Sequence, residues 1–480
     1  MPHTHQVPRR TFVKQTGVAL VGAAFLSEFN VRAGETPAHH QATGLRIGEV
    51  TDNSAIIWTR VTAATARRVV ETPNSPEDKA AAKLIEGACP GALGQVRLRF
   101  GTNENLRGAK TTGWVKVNSD IDFIHQFALN GLQADTAYYF ASETKGEDGT
   151  AHGELRGEFR TAPLPKSPSN LTFCVMTCQG YPDRGHPDGH AIYPAMLALQ
   201  PNFACLTGDL VYYDNDAPKA KSPELAHLHW ERMFSLPRLI EFNRRVATYW
   251  LKDDHDTLNN DSWPGEEMGT FTFAEGQRIF RQQAPISNGP SYRTFRWGRD
   301  LQIWLTDGRD FRSPNKLADG PEKTIWGKEQ KAWLQRTVNE SAATWKVLIS
   351  PTPLVGPDRK GKNDNHTNSG FKHEGDELRE WFKANVPDNF FVICGDRHWQ
   401  YHSVHPETGL REFSVGPASN EHSGGTPGED PAYHRFHRVR GGFLSTTLKR
   451  NGNQSTILFQ HRDVNGVVVH EWSAERNATA

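Results

Sequence analysis

The chain has 480 residues, and its 55 Lys and Arg residues balance 55 Asp and Glu residues, so the formal net charge is zero. This balance excludes the strongly basic surface of nucleic-acid or anionic-membrane binders, and we expect no specific nucleic-acid recognition. Thirteen Trp and 25 Phe residues supply bulk for hydrophobic cores and exclude a disordered chain, and the length predicts two domains after a leader.

Residues 1–33 are typical of a twin-arginine export signal. Arg9 and Arg10 precede a short apolar run at 17–26, and 31–33 offers small or β-branched residues for cleavage. About ten apolar residues are too few for a bilayer core that needs about 20, so we expect no stable membrane anchor. The alternative is an amphipathic first helix with two surface arginines. The signal predicts export by the twin-arginine machinery to the periplasm or the medium.

Residues 41–162 show the pattern of an all-β sandwich. Short runs of alternating apolar and polar residues, such as 54–60 and 95–100, are separated by turn-forming residues. Segment 66–92 is polar and rich in Ala, which predicts an inserted loop or helix. The end of the region, 125–140, resembles a fibronectin type III-like domain.

A proline-rich linker at 163–170 precedes a different pattern. Over 171–480, apolar runs of strand length alternate with helical segments, which predicts a layered α/β domain. Within it we expect a helix at 326–338 and a strand at 344–350.

Polar clusters follow four of the strand-like runs. The runs at 171–176, 203–206, 246–251 and 390–394 lead into Thr177-Cys178-Gln179, Gly208-Asp209 with Tyr212, Asp253-Asp254-His255-Asp256, and Gly395-Asp396-Arg397-His398, respectively. Ligands of α/β sheets bind outside the carboxyl ends of the strands. The clusters therefore predict one convergent site. Three other cysteines, Cys174, Cys205 and Cys394, lie inside apolar runs and are expected to be buried.

These clusters resemble the metal-binding blocks of calcineurin-like metallophosphoesterases. In detail they are similar to the alkaline phosphatase D (PhoD-like) branch, which is related to purple acid phosphatases. The shared patterns are Gly208-Asp209-x-x-Tyr212, Asp253 to Asp256, Gly395-Asp396-x-His398, Thr177 to Gln179, Asp307 to Arg312 and Trp326 to Gln330. The resemblance implies an α/β two-sheet sandwich after a small fibronectin III-like sandwich, and an exported phosphoesterase.

The resemblance also implies a pair of metal ions. The implied ligands are Cys178, Asp209, Tyr212, Asp254, Asp396 and His398. Asp209 is expected to bridge the ions, because each of its two oxygens can face one of them. The alternative for Asp209 is a turn or helix-capping residue. Thiolate, phenolate, carboxylate and imidazole ligands together suit ferric iron.

The second metal position has more carboxylates than in many relatives. Asp254 and Asp396 stand where relatives place Asn and His, and 347–351 lacks the additional His. Oxygen ligands favour calcium or magnesium over zinc or manganese. We expect one ferric iron with one or two calcium ions, and Mg, Mn or Zn as alternatives. Asn259 or Asn260 either completes the oxygen shell or has a loop role.

His255, Arg309 and Asp396 are the expected catalytic residues. His255 occupies the position where relatives place a His near the phosphate. It either donates to the phosphoryl oxygens or the leaving group, or it only orients Asp254.

Arg309 and Arg312 have guanidinium groups whose planar fork suits a phosphate clamp, so both are expected to bind substrate. The alternative is that they pair with Asp307 or Asp310 on the surface. Arg397, between two ligand candidates, is expected to face solvent.

Two further segments lie near the motifs. Segment 185–190 is rich in His but is expected to be an ordinary loop beside the site. Segment 358–377 is polar and predicts a mobile loop that roofs the site, where His366 or His373 is a candidate for the missing imidazole.

The predicted activity is hydrolysis of phosphate mono- or diesters, small or polymer-linked, by metal-bound hydroxide at a dinuclear site. A sulfate ester or phosphotriester is the alternative substrate on the same scaffold. A non-catalytic surface or carbohydrate-binding protein is the alternative of a different class.

Overall fold

The computed structural model describes residues 40–70 and 79–477, so the predicted export signal lies outside the described part of the chain. Among the described residues, no helix combines the length and the apolar character needed to span a bilayer.

Alternating residues form the strands of the N-terminal region. They are β1 (Arg46–Gly48), β2 (Ser54–Arg60), β3 (Gly94–Gly101), β4 (Lys110–Thr111), β5 (Val115–Val117), β6 (Ile124–Asn130), β7 (Ala137–Gly146) and β8 (Ala151–Arg160). One sheet has the order β4-β3-β7-β8, with β5 also paired to β3, and it shares a hydrophobic core with β1, β2 and β6. The predicted N-terminal β-sandwich is therefore confirmed.

Strands and helices alternate from residue 171 onward. The first half contains β9 (Leu171–Met176), α1 (Ile192–Ala198), β10 (Phe203–Thr207), α2 (Pro223–Phe234), α3 (Pro237–Asn243), β11 (Ala247–Leu251), β12 (Glu267–Met268), β13 (Phe271–Thr272) and α4 (Phe273–Gln283). Short 3₁₀ helices occur at Lys79–Leu84, Ser119–Ile121 and Pro182–Arg184, the first of them within the predicted insertion.

The second half completes the α/β layers. It contains β14 (Arg293–Trp297), β15 (Leu301–Leu305), α5 (Gly327–Glu340), β16 (Trp345–Ser350), α6 (Lys372–Asn385), β17 (Phe390–Cys394), β18 (Gln400–Val404), β19 (Arg411–Val415), β20 (His434–Arg438), β21 (Gly442–Asn451), β22 (Gln454–Asp463) and β23 (Val468–Asn477). The expected helix and strand correspond to α5 and β16.

Two mixed sheets enclose the central core. In the described residues, one sheet has the order β23-β22-β21-β9-β10-β11-β1-β2-β6, and the other has the order β14-β15-β16-β17-β19-β18-β20. The neighbouring strands β9, β10 and β11 are parallel, so their carboxyl ends lie at the same edge. Strands buried on both faces have continuous apolar sequences, and this explains why the runs before the polar clusters lack alternation.

The N-terminal sandwich and the α/β layers share a sheet. Strand β1 pairs in parallel with β11, with Ile47 opposite Ala247, and β2 and β6 continue the sheet beyond it. Alternation in the sequence identifies a strand but not its partner. Pairing between β1 and β11 ties the N-terminal region to a strand that leads into the site.

The predicted roof loop at 358–377 ends earlier than expected. Helix α6 begins at Lys372, so the last residues of that segment are helical. Glu374, Leu378 and Phe382 recur at helical spacing and are buried on one face of α6, which stabilises the helix despite its polar composition.

Candidate metal centre

The backbone is left-handed at three of the four polar clusters. The φ angles are 49° at Cys178, 55° at Asp209 and 60° at Asp396. Residues other than glycine rarely adopt this backbone conformation, and those that do are concentrated at functional sites. The turn after each strand thus directs a chemically active side chain toward the same edge of the sheets.

Two glycines let these turns approach one another. A Cβ atom on Gly208, whose φ is 95°, would lie 2.6 Å from the backbone nitrogen of Asp253. A Cβ atom on Gly395 would lie 2.6 Å from the hydroxyl oxygen of Thr207 and 2.7 Å from that of Thr177. Any larger residue would therefore separate the strand ends.

Candidate ligand atoms converge on Asp209. Three groups of side chains each place their ligand atoms within 4.8 Å of one another, and Asp209 belongs to all of them. The groups are Cys178 with Asp209 and His398, Asp209 with Asp254 and His255, and Asp209 with Asp253 and Asp396. Asp209 thus lies where one carboxylate could serve a cation on either side.

The thiol and the phenol lie on one side of Asp209. Its Oδ2 is 3.4 Å from Sγ of Cys178 and 3.3 Å from the hydroxyl oxygen of Tyr212. Together with the imidazole of His398, these atoms form a compact set of sulfur, oxygen and nitrogen donors. Such a mixed set suits a transition metal.

Carboxylate groups predominate on the other side of Asp209. Oδ2 of Asp254 accepts a hydrogen bond of 2.7 Å from the backbone N–H of Asp261, and Nε of Arg309 donates to Oδ1 of Asp253 at 2.6 Å. Oxygen donors of this kind suit hard divalent cations.

Several of these buried oxygens have no hydrogen-bond donor. Oδ1 of Asp209, Oδ2 of Asp253, Oδ1 of Asp254 and Oδ1 of Asn259 are inaccessible to solvent and unpartnered. Buried polar atoms are almost always paired, and a buried carboxylate without a counter-charge is strongly unfavourable. The donor set therefore fits metal cations, which would compensate these oxygens.

Asp209 is the less compensated of the two central carboxylates. Burial, followed by the charge of Asp254, raises the pKa of Asp209 well above its usual value. For Asp254, the charges of Arg309 and His255 outweigh burial and hold the pKa below its usual value. Neighbouring side chains therefore compensate the charge of Asp254 more fully than that of Asp209.

The other donors also have shifted pKa values. Burial and then the charge of Asp209 raise the pKa of the Cys178 thiol and of the Tyr212 phenol. Burial and then His422 lower the pKa of His398 and keep its imidazole neutral, the form that binds metals. A cation bound here would lower the pKa of the thiol and of the phenol, because it would stabilise their anions.

His255 is held by a carboxylate that is absent from the motif. Its Nδ1 lies 2.6 Å from Oδ1 of Asp214, and its ring centroid is 4.4 Å from that of Tyr212. Burial alone would lower the pKa of His255, but the charges of Asp254 and Asp209 and the bond to Asp214 raise it to about 10.

The arginines of the site are buried. Arg309 contacts Asp253 and lies 3.7 Å from Asp254, and Asp307 and Asp310 pair with Lys252 instead. The alternative of surface pairs for Arg309 is thereby excluded.

Arg312 is buried as well, and it donates to Asn315 at 3.0 Å and to the backbone oxygen of Asp364. The expectation that Arg397 faces solvent is wrong. It is buried because it pairs with Asp358 at 2.5 Å and with Asp396.

The remaining sequence candidates lie apart from the convergent atoms. His366 is buried against Glu374 at 2.9 Å, and His373 is exposed on α6, so neither supplies an imidazole to the three groups. In the loop 185–190, His186 is exposed and His190 is buried against the backbone of Gly180.

Four residues of the site were missed by sequence reasoning: Asp253, Asp214, Asp183 and His422. Asp253 lies in the recognised Asp-Asp-His-Asp cluster, where the choice between adjacent carboxylates needs the backbone direction. Asp214 and His422 lie on loops, Asp183 lies in the short 3₁₀ helix Pro182–Arg184, and nothing in their local sequence signals a site.

Comparison with known proteins agrees with this architecture. Residues 173–450 match the family described as PhoD-like phosphatase, and residues 29–163 match the PhoD-like phosphatase N-terminal domain. Alkaline phosphatase D of Bacillus subtilis (strain 168) is 21% identical over 450 residues, covering 81% of this chain and 71% of that protein.

Solved structures share the fold. A structure of PhoD superposes with a TM-score of 0.70 at 17% identity and covers 93% of this chain and 92% of its own. Purple acid phosphatase PPD1 from yellow lupin (Lupinus luteus) seeds has a TM-score of 0.59 at 13% identity and covers 89% of this chain and 73% of its own. These similarities confirm a β-sandwich followed by a two-sheet α/β domain.

Proposed function

We propose that this chain, which belongs to the PhoD-like phosphatase family and is a phosphoric ester hydrolase, cleaves phosphate mono- or diesters at a two-metal site centred on Asp209. The observation that carries the proposal is the convergence of three ligand groups on Asp209, whose Oδ1 is buried without a hydrogen-bond partner.

The two sides of Asp209 suit different cations. Cys178, Tyr212 and His398 suit one ferric iron, whereas Asp253, Asp254 and Asp396 suit one or two calcium ions. When bound, such ions lower the pKa of water to supply hydroxide near neutral pH, and they stabilise charge on the phosphoryl oxygens.

The surrounding side chains orient the reacting groups. Asp214 accepts from Nδ1 of His255, which leaves Nε2 to contact a phosphoryl oxygen or the leaving group. Arg309 holds Asp253 in place and faces Asp254. Precise placement of these carboxylates matters because small displacements are costly for catalysis.

The substrate class can be tested with chromogenic esters. The panel contains a phosphate monoester, a diester, a triester and a sulfate ester, each assayed after metal depletion and after resupply of iron and calcium. We expect hydrolysis of the mono- or diester that is lost on depletion and restored on resupply. Preference for the sulfate ester or the triester, or full activity without metal, would refute the proposal.

Export is a separate part of the proposal and is supported by Arg9-Arg10 and the short apolar run that follows. Replacement of both arginines by lysine is expected to retain the protein in the cytoplasm, whereas the wild-type chain reaches the periplasm or the medium. Equal export of both forms in a cell fractionation would contradict the twin-arginine route.

A further inference from the structure

A second carboxylate–imidazole pair lies beside Tyr212. Nδ1 of His422 is 2.7 Å from Oδ2 of Asp183, and its Nε2 is 2.8 Å from the hydroxyl oxygen of Tyr212. The rings of His422 and Tyr212 are 4.9 Å apart, and those of His422 and His398 are 4.4 Å apart. His422 therefore touches one candidate metal ligand and packs on another.

Asp183 and His422 pack closely against Gly180. A Cβ atom on Gly180 would lie 2.8 Å from Oδ2 of Asp183 and 3.0 Å from Nδ1 of His422, so a larger residue would displace both groups. The loop that carries His422 is tied to the site, because the backbone N–H of Gly424 donates to the backbone oxygen of His398 at 3.0 Å.

The hydrogen bonds of His422 hold the phenolic oxygen of Tyr212 in place. A carboxylate only accepts, so Nδ1 of His422 carries a proton, and Nε2 is left to share a hydrogen bond with the hydroxyl group of Tyr212. Tyr212 has one proton, and the contact to His422 is shorter than the 3.3 Å contact to Asp209. His422 therefore holds one side of the phenolic oxygen, and Oδ2 of Asp209 lies on another side of the same atom.

This orientation brings three candidate ligand atoms together. Oδ2 of Asp209 lies 3.3 Å from the phenolic oxygen and 3.4 Å from Sγ of Cys178. The Cys178 thiol donates to Oδ2 of Asp209, and a bound cation would stabilise the thiolate and the phenolate so that all three atoms could act as ligands.

We propose that His422, oriented by Asp183, is a positioning residue that aims the oxygen of Tyr212 at the metal ion. The inference rests on the proposed function, since it assumes that Tyr212 is a ligand. It differs from the role of Asp214 and His255, because His255 packs against the ring of Tyr212 while His422 binds its hydroxyl group.

The test measures iron binding without turnover. Each protein is equilibrated with ferric iron and a competing chelator, and the retained iron and the tyrosinate-to-iron charge-transfer absorption are recorded. His422→Phe removes the hydrogen-bonding partner of the Tyr212 oxygen and is expected to weaken iron binding about 10- to 100-fold and shift the absorption band, as typical for groups that orient a metal ligand. His422→Gln keeps a side chain that can hydrogen-bond and is expected to lose less.

Asp183→Asn is expected to weaken iron binding in the same direction. The matched controls are His186→Gln and Asp188→Asn, because both residues are exposed in the loop that follows Asp183. We expect both controls to match the wild type.

The outcomes separate the two hypotheses. If the wild type binds iron and His422→Phe and Asp183→Asn equal the controls in affinity and absorption, the positioning role is wrong while the proposed function stands. If His422→Phe fails to fold, the comparison of Asp183→Asn with its control Asp188→Asn still tests the positioning role. Equal iron binding by these two variants would show that the positioning role is wrong. A wild-type protein that binds no metal overturns both.

Discussion

Two groups of buried titratable side chains differ in how their charges are compensated. The metal centre consists of the ligand groups around Asp209, and the histidine cluster consists of His402, His461 and His470 where the two large sheets meet. In the histidine cluster, Nδ1 of His402 contacts Nε2 of His470 at 3.1 Å, and Nε2 of His461 contacts the backbone oxygen of Ser414 at 3.0 Å.

The comparison distinguishes interior packing from a binding site. Burial, and then neighbouring positive groups, lower the pKa of His402 to about 2 and that of His461 to about 3, so the histidine cluster is neutral without any ligand. The metal centre instead contains unpartnered carboxylate oxygens and left-handed backbone. Buried carboxylate oxygens that lack a partner, rather than a high local number of His and Asp residues, therefore identify the functional site.

The most severe test of this contrast is Asp209→Asn. The change removes the shared ligand and therefore several kcal/mol of transition-state stabilisation, which is about a thousand-fold in rate. Phosphoester hydrolysis and metal content should fall together, whereas Asp388→Asn, an exposed control, should alter neither. A metal-replete Asp209→Asn protein with wild-type activity would contradict the bridging role.

Asp214→Asn sharpens the comparison within the metal centre. Loss of the carboxylate frees the ring of His255, and we expect kcat/KM to fall about 10- to 100-fold, as for other groups that orient an active-site ligand. Metal content should stay at the wild-type level, because Asp214 is outside the three ligand groups. Parallel loss of metal would instead favour the role in which His255 only orients Asp254.

The histidine cluster should make the fold sensitive to acid. His461 has a pKa of about 3 in the folded chain, because burial and then His470 oppose its charge, against about 6.5 in an unfolded chain. Its contribution to stability is complete above pH 6.5 and is lost as the pH falls toward 3. At pH 5 the loss is about 2 kcal/mol in the free energy of unfolding.

The check uses denaturant unfolding at pH 7.5 and pH 5 of the wild type and of His461→Gln. Gln keeps a donor for Ser414 but does not titrate, so the acid-induced loss should be smaller by about 2 kcal/mol. Equal losses in both proteins would show that His461 is not the neutral buried group described above.

The smallest effect concerns left-handed backbone away from the metal centre. Gln200 follows α1 with φ of 48° and is exposed. Gly adopts this conformation without strain, so Gln200→Gly is expected to raise the free energy of unfolding by up to about 1 kcal/mol, with no change in hydrolysis. Cys178→Gly relieves the same strain at the metal centre but should abolish metal binding. If the two variants behave alike in thermal unfolding and metal analysis, the left-handed residue at the metal centre does not differ in function from the one outside it.

Much of the α/β fold could be predicted because parallel strands buried on both faces leave uninterrupted apolar runs. The polar clusters after β9, β10, β11 and β17 then had to lie at the sheet edge. The pairing of β1 with β11 could not be predicted, since the sequence spacing of 200 residues between Ile47 and Ala247 carries no pairing signal.

The site was predictable only where its residues follow strands directly. Cys178, Asp209 and His398 each lie in a polar cluster that follows a strand, and their ligand atoms converge. Asp183 and His422 are 239 residues apart in the sequence, and only the folded chain brings them together. The burial of Arg397 was likewise hidden, because its partner Asp358 lies in the roof segment.

Anomalous X-ray diffraction from crystals of the metal-loaded enzyme, recorded on both sides of the iron absorption edge, tests the central idea most directly. We expect an iron peak bounded by Cys178, Asp209, Tyr212 and His398, and a second metal peak on the carboxylate side of Asp209. Peaks located elsewhere, or no peak at Asp209 in a protein that hydrolyses phosphoesters, would show that these buried side chains are not the catalytic metal site.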